Sequence, residues 1–184
     1  MAQEKREQRE FARLQFDALT GAGDFTADQI ERVLVRVDNQ GANTVDNRSM
    51  PDICMQHMCA IMLIDGMVTF ESAHDEPRMR DPRVLALRGR IELRGDDQLT
   101  REVPLRQAIV EIETTDGRSF RQHVRSVRGT AENPMTRAEV DEKAMPLLGH
   151  IMGRKRARAL CDAVWKIEGL DSVRALRPLL RSRR

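Results

Sequence analysis

The strongest constraint on the fold is a helical segment, residues 51–64 (PDICMQHMCAIMLI), that is apolar almost all the way round. Ser49 or Met50 can cap its start, Pro51 suits the first helical position, and Asp65-Gly66 ends it. A helix with so little polar surface is stable in water only when other elements cover it. The sequence therefore predicts a central buried helix, and the remaining segments must cover it.

Several short elements can supply this cover. Valine alternates with other residues over 33–37, which predicts a half-buried strand, and Ile91 with Leu93 indicates another. Thr26 and Gln29 have the spacing of a capping box for one short turn. Residues 67–70 predict a short strand or an extended linker.

Residues 107–127 predict a β-hairpin around Asp116-Gly117. A two-residue loop would place apolar and charged side chains on the same face. A loop with a bulge at Gly117 pairs the apolar positions better, for example Val110 with Val124. We therefore favour the bulged loop.

Helical patterns surround these strands. One helix begins at Asp81-Pro82 and turns Val84, Leu85 and Leu87 inward. In the C-terminal third, a capping box at Thr136 begins a helix that should break or kink at Pro146. The other helical patterns lie at 4–19, at 154–168 before a stop at Gly169, and after a cap at Asp171.

Strands mixed with helices and followed by a helical tail predict an α+β fold, with a small mixed or antiparallel sheet against the buried helix. We expect three parts: an N-terminal helix over 1–24, an α+β domain over 25–130 and a helical segment over 131–184. A chain of 184 residues can bury a core without disulfides or metal.

Composition and charge exclude some functions. The formal net charge is only +2, and six aromatic side chains offer few platforms for stacked bases, so we expect no binding to nucleic acid. No apolar run could cross a bilayer, and the charged N-terminus has no signal-peptide pattern, so we expect no membrane association. Three cysteines without a CxxC pair predict a reducing compartment and a cytoplasmic location.

The densest polar group lies where the buried helix begins. An arginine beside a helix N-terminus can bind a carboxylate through two parallel N–H groups. Two polar residues four positions apart share a helix face, and a histidine can exchange a proton near neutral pH. The alternative stays open that the arginine only pairs with a neighbouring aspartate and the histidine satisfies an internal hydrogen bond. The group consists of Asp46, Asn47, Arg48, Asp52, Gln56 and His57.

Other chemistries have less support. Cys54, His57 and Met58 match no zinc spacing, and the chain has no glycine-rich phosphate loop. Cys54 and Cys59 lie in an apolar helix, which raises the pKa of a thiol and disfavours a nucleophilic cysteine. We therefore expect neither a metal site nor a reactive thiol.

From about residue 25 onward, the sequence resembles the C-terminal part of the MmgE/PrpD family. That family includes 2-methylcitrate dehydratases, cis-aconitate decarboxylases and an iminodisuccinate epimerase. The similar features are the helix start with Asp52, Gln56 and His57, the helix at Asp81-Pro82, and the turn over 129–134. The similar runs are VDNRSMPDICMQHMCAIMLIDGMVTF, AHDEPRMRDPRVLALRGRIEL and VRGTAENPMTRAEVDEKA.

The resemblance implies an α+β lid domain beside a large helical domain, with the active site in the cleft between them. It implies removal of a proton alpha to a carboxylate, no metal or organic cofactor, and a homodimer or a complex with a separate helical-domain chain. It also implies that Asn47, Arg48, Asp52 and Gln56 bind the substrate. His57, where the dehydratases have Tyr, is implied as the catalytic residue.

The family's helical domain, and its Lys-x-Tyr-Pro stretch followed by His, are missing from these 184 residues. Two hypotheses follow. In the first, the chain is the lid part of a lyase or isomerase that acts on a small polycarboxylate and needs a helical-domain partner. In the second, it is a non-catalytic remnant that binds a partner or a carboxylate.

Overall fold

The computed structural model describes residues 25–181, which form parts of two compact units that divide between Val127 and Arg128. The predicted helix over 4–19 lies outside the described residues. The described part of the first unit combines a sheet with helices, and that of the second is helical. The predicted α+β class is confirmed.

The first unit is built on a four-stranded mixed sheet in the order β2-β1-β3-β4. β1 is parallel to β2, antiparallel β3 lies on its other side, and β4 is antiparallel to β3. The valine alternation predicted β1 correctly, because Val33, Val35 and Val37 are buried. The strands are β1 (Ile30–Val37), β2 (Ile91–Gly95), β3 (Ala108–Thr114) and β4 (Ser119–Val124).

β3 and β4 form the predicted hairpin, but in a different register. Its loop has three residues and ends at Gly117, whose φ of 83° is the left-handed conformation that this bulged loop needs. Val110 lies opposite Gln122, so the predicted pairing of Val110 with Val124 was wrong. The length of the loop sets the register, and the apolar pattern alone did not determine it.

Five helices lie between the strands. The second is the predicted buried helix, in which Cys59, Ala60 and Leu63 join the apolar core and Gly66, at a φ of 73°, ends the helix. Residues 67–69 form no strand and lead directly into the next short helix. The helices are α1 (Asn39–Val45), α2 (Met55–Asp65), α3 (Phe70–Ala73), α4 (Pro82–Arg88) and α5 (Asp97–Arg101).

The start of the buried helix differs from the prediction. Pro51–Ile53 form a 3₁₀ turn, and Cys54 in an extended conformation separates this turn from α2. Asp52 and Gln56 therefore lie on different elements, and the prediction that they share one helix face was wrong. The 3.6-residue spacing applies only within a continuous α-helix.

α4 begins where the sequence predicts, with the Asp81 carboxylate accepting a hydrogen bond from the Arg83 N–H at 2.8 Å. Val84 and Leu87 are buried, because residues three apart share a helix face. Leu85 is 46% exposed, so the prediction that it points inward was wrong.

The second unit contains the predicted capping box, in which the Thr136 hydroxyl accepts from the Glu139 N–H. The helix that follows continues through Pro146, so of the predicted break or kink, the break does not occur. Ser172, not Asp171, caps a 3₁₀ turn before the last helix. A separate 3₁₀ turn at Ile167–Gly169 ends the predicted 154–168 segment. The helices are α6 (Arg137–Met152), α7 (Arg154–Val164) and α8 (Arg177–Leu180).

The two leucines of α4 give a matched test of the core. Leu87 is 4% exposed and Leu85 is 46% exposed. We expect Leu87→Ala to lower the free energy of unfolding by about 2–5 kcal/mol, because it removes buried methyl groups and leaves a cavity. Leu85→Ala should change it by about 0.5 kcal/mol or less. Urea denaturation measures both, and equal losses would contradict the orientation of α4.

Candidate functional site

Three members of the predicted polar group, Asp46, Asn47 and Gln56, meet at the loop of residues 46–48, between α1 and the turn before α2. The backbone N–H of Asn47 donates to Gln56 Oε1 at 2.9 Å, and Gln56 Nε2 donates to the Asp46 carboxylate. Gln56 is 1% exposed, so both ends of its amide are used inside the fold. Asn47 has a φ of 45°, a left-handed conformation that asparagine tolerates better than most residues. Gln56 thus holds the loop to the first turn of α2.

Arg48 turns back onto the end of α1. Its Nε donates to the carbonyl of Thr44 at 2.6 Å, and its Nη2 donates to the carbonyl of Asn43. A cation is favourable at these carbonyls because they carry the negative end of the helix dipole. No ion pair joins Arg48 to Asp52, although the structure describes both and both are exposed. The pairing that the sequence left open is therefore not what positions Arg48.

His57 lies inside the first unit with an exposed fraction of 0%. Neither ring nitrogen has a hydrogen-bond partner among the described residues, so the internal hydrogen bond that the sequence left open is not formed. Burial lowers the pKa of His57, Arg88 and Arg78 lower it further, and Asp75 opposes them. The ring is therefore neutral at pH 7.

Arg88, in the last turn of α4, is a site residue that the sequence did not reveal. Its Nη2 lies 3.4 Å from Asn47 Oδ1 and 3.4 Å from the carbonyl oxygen of Arg48. A basic residue at the end of a helix is common, and the contact joins positions about forty residues apart in the chain. No local pattern could have indicated it.

A groove of about 640 Å³ opens beside the loop, lined in part by Asp46, Asn47 and Gln56 but not by Arg48, Asp52 or His57. Its carboxylates outnumber its cations by four to two. One cation pairs with a groove carboxylate at 2.9 Å, and the other donates to a main-chain carbonyl at 2.7 Å. The groove is thus net acidic and repels a polycarboxylate. The carboxylates are Glu31, Asp46, Glu92 and Glu113, and the cations are Arg32 and Arg90.

Other reactive groups do not form a second site. Over residues 25–181, no three His, Cys, Asp or Glu side chains cluster so that they could hold a metal ion. Burial, with a smaller contribution from nearby Cys54, raises the pKa of the Cys59 thiol to about 12, so Cys59 stays protonated. In the same part of the chain, none of the helices has the length and apolar character to cross a membrane.

The buried imidazole gives a pH-dependent prediction. The folded-state pKa of His57 is below its ordinary value of about 6.5, so below that pH the unfolded chain takes up a proton before the native protein does. The native protein should lose stability as the pH falls from 7 to 5. We expect His57→Leu to reduce this loss and to raise stability at pH 7 by about 1 kcal/mol, because it removes two unpaired ring nitrogens. Urea denaturation at both pH values checks this, and a lower stability of the variant at pH 7 would contradict it.

The amide of Gln56 can be tested separately. Gln56→Leu should cost about 1–3 kcal/mol of stability, because the Asn47 N–H and the Asp46 carboxylate lose their partner. It should also speed hydrogen exchange at the Asn47 amide. The matched control is Gln122→Leu on β4, where the side chain is only half-buried. Unchanged exchange at Asn47 would show that the loop does not depend on Gln56.

Comparison with known proteins identifies the family. The model of the MmgE/PrpD C-terminal domain matches residues 15–167. A curated relative, the 2-methylcitrate dehydratase-like protein oryR of Aspergillus oryzae (strain ATCC 42149 / RIB 40), is 29% identical over 125 residues. That alignment covers 64% of this chain and 25% of the relative, so the chain spans about a quarter of the relative's length. Since the family match covers most of the chain, this protein belongs to the MmgE/PrpD family and carries its C-terminal domain.

Proposed function

We propose that this chain is the lid part of an MmgE/PrpD-type lyase or isomerase that acts on a small polycarboxylate. The observation that carries the proposal is the fixed loop 46–48, which Gln56 holds at the start of α2. A substrate carboxylate beside this loop meets the positive charges of Arg48 and Arg88. The family match and the name of the dehydratase-like relative support the class of substrate.

The charges of the first unit favour one side of the loop for the substrate. The groove beside Asp46 and Gln56 carries an excess of carboxylates and disfavours a polyanion. Arg48 and Arg88 do not line that groove, and Arg88 contacts the loop directly. The substrate therefore approaches the loop from the arginine side.

The loop residues have different roles in this proposal. Asn47 and Gln56 keep the conformation of the loop, and Asp52, in the exposed turn before α2, contributes to orientation of the substrate. His57 hydrogen-bonds to the substrate or transfers a proton. Its neutral ring can accept a proton, but the residues that bury it must first move aside.

A helical domain completes the active unit in this proposal. The chain corresponds to a quarter of its dehydratase-like relative, and the described residues expose no neutral base beside the loop. A separate chain, or another part of a longer one, supplies the base that removes the proton alpha to a carboxylate. The complete unit works as a homodimer in the cytoplasm, without a metal or an organic cofactor.

The burial of His57 favours a second candidate function. A ring with no exposed surface cannot exchange protons with a substrate in this arrangement. The chain would then bind a partner or a carboxylate without turnover. The two functions differ in one observable, which is exchange of the substrate's alpha proton.

The experiment combines the chain with the helical domain of an MmgE/PrpD protein and incubates the complex with citrate or 2-methylcitrate in D₂O. Dehydration and epimerisation remove the alpha proton, whereas decarboxylation breaks a C–C bond and leaves a carbanion that takes up a proton from the solvent. Deuterium incorporated into the substrate or the product, detected by NMR, therefore reports all three. We expect exchange in the complex and a loss of about tenfold or more in Gln56→Leu, because the loop loses its support. Gln122→Leu should retain the rate. A complex that forms and shows no exchange would support the binding module instead.

A further inference from the structure

A half-buried arginine normally has a counter-ion or strong hydrogen bonds, because its charge is costly to remove from water. Five arginines are half-buried over residues 25–181. Three of them pair with a carboxylate at 2.9 Å or less, and one donates to a carbonyl at the end of α8 at 2.6 Å. The fifth has no carboxylate partner and only contacts of 3.4 Å with neutral oxygens. The five are Arg32, Arg36 and Arg78, then Arg156, and lastly Arg88.

Arg88 makes only long contacts. Its Nη2 lies 3.4 Å from two neutral oxygens of the loop, which is beyond the usual range for a strong hydrogen bond. No hydrogen bond or ion pair in the described part of the chain engages its Nε or Nη1. Nε and Nη1 therefore keep their N–H groups free, and a carboxylate that forms the two parallel N–H···O bonds it prefers has to displace only the long contacts of Nη2.

Arg48 is less able to bind in this way. Its Nε and Nη2 both donate to carbonyls of α1, so the edge that binds a carboxylate side-on is occupied. Its role in the structure is to hold the loop against the end of α1. A ligand that took this edge would have to replace both bonds.

From this geometry we infer that Arg88, rather than Arg48, is the residue of the lid that binds a substrate carboxylate side-on. The inference rests on the proposed function and names the group that performs it. The ligand is a small di- or tricarboxylate, and one of its carboxylates becomes the counter-ion that Arg88 lacks. The contacts of Nη2 with Asn47 Oδ1 and the Arg48 carbonyl place the guanidinium at the loop before the carboxylate binds.

His57 provides an independent readout of this event. The positive charge of Arg88 holds down the pKa of His57, together with burial and Arg78, while Asp75 acts in the opposite direction. A carboxylate bound to Arg88 cancels part of that charge. The pKa of His57 should therefore rise on binding, and it should rise in Arg88→Gln without any ligand.

The test is binding of citrate to the full 184-residue chain, measured by calorimetry at low ionic strength. We expect Arg88→Gln to weaken binding by about tenfold or more, because a charge-assisted bidentate contact is lost. Arg88→Lys should be intermediate, since an ammonium keeps the charge without the fork. Arg83→Gln, in the exposed first turn of the same helix, is the matched control and should leave binding unchanged, whereas Arg48→Gln should weaken it by about threefold or less. Thermal unfolding of each variant shows whether the fold is retained.

NMR titration of His57 in the wild-type chain, with and without citrate, needs no variant. A rise in its pKa with citrate supports the inference, and no change overturns it. A loss of binding in Arg48→Gln but not in Arg88→Gln also overturns it and leaves the lid function in place. If the wild-type chain binds no citrate, the inference fails, while deuterium exchange with the helical domain decides the proposed function separately.

Discussion

Packing of α2 against one face of the sheet determines the geometry of the whole first unit. Ala60 and Leu63 of the helix share one apolar core with Val33 and Ile112 of the strands. The Val, Leu and Ile side chains each contribute roughly 1.5–3 kcal/mol on burial, so the helix cannot rotate without a large loss of stability. Because α2 is fixed in this way, the direction of Gln56 is fixed as well. Gln56 then determines the conformation of the loop through the Asn47 N–H.

The charged side chains of the first unit lie on two kinds of surface. On part of the sheet arginines pair with carboxylates, as in the contacts of Arg36 with Glu111 at 2.7 Å and of Arg121 with Glu111 at 3.0 Å. Surface pairs of this kind contribute little to stability. At the loop, Arg48 and Arg88 have only neutral oxygens as partners. An anion beside the loop therefore meets two arginines whose charge no carboxylate of the described residues matches.

The sequence predicted what depends on neighbouring residues. The valine alternation, the capping boxes at Thr26 and Thr136, and the stop at Gly66 are local signals, and the structure contains them all. The sequence did not predict features that depend on a contact between distant residues or on an interruption of a regular helix. A 3₁₀ turn before Cys54 moved Asp52 away from Gln56. Packing of α4 against α2 places Arg88 at the loop, and no residue spacing along the chain indicates this contact.

Two groups at this site lack the partners that folded proteins normally provide. His57 is fully buried with both ring nitrogens unpaired, and Arg88 is half-buried without a counter-ion. Each lowers the free energy of unfolding, and Leu at position 57 would fill the same core without an unpaired polar atom. Arg88 also lowers the pKa of His57, so the two costs are coupled. Stability alone does not account for such a pair, whereas a bound carboxylate would supply the missing charge at Arg88 and relieve its effect on His57. Local departures from the rules of stable packing are expected where a protein binds its ligand.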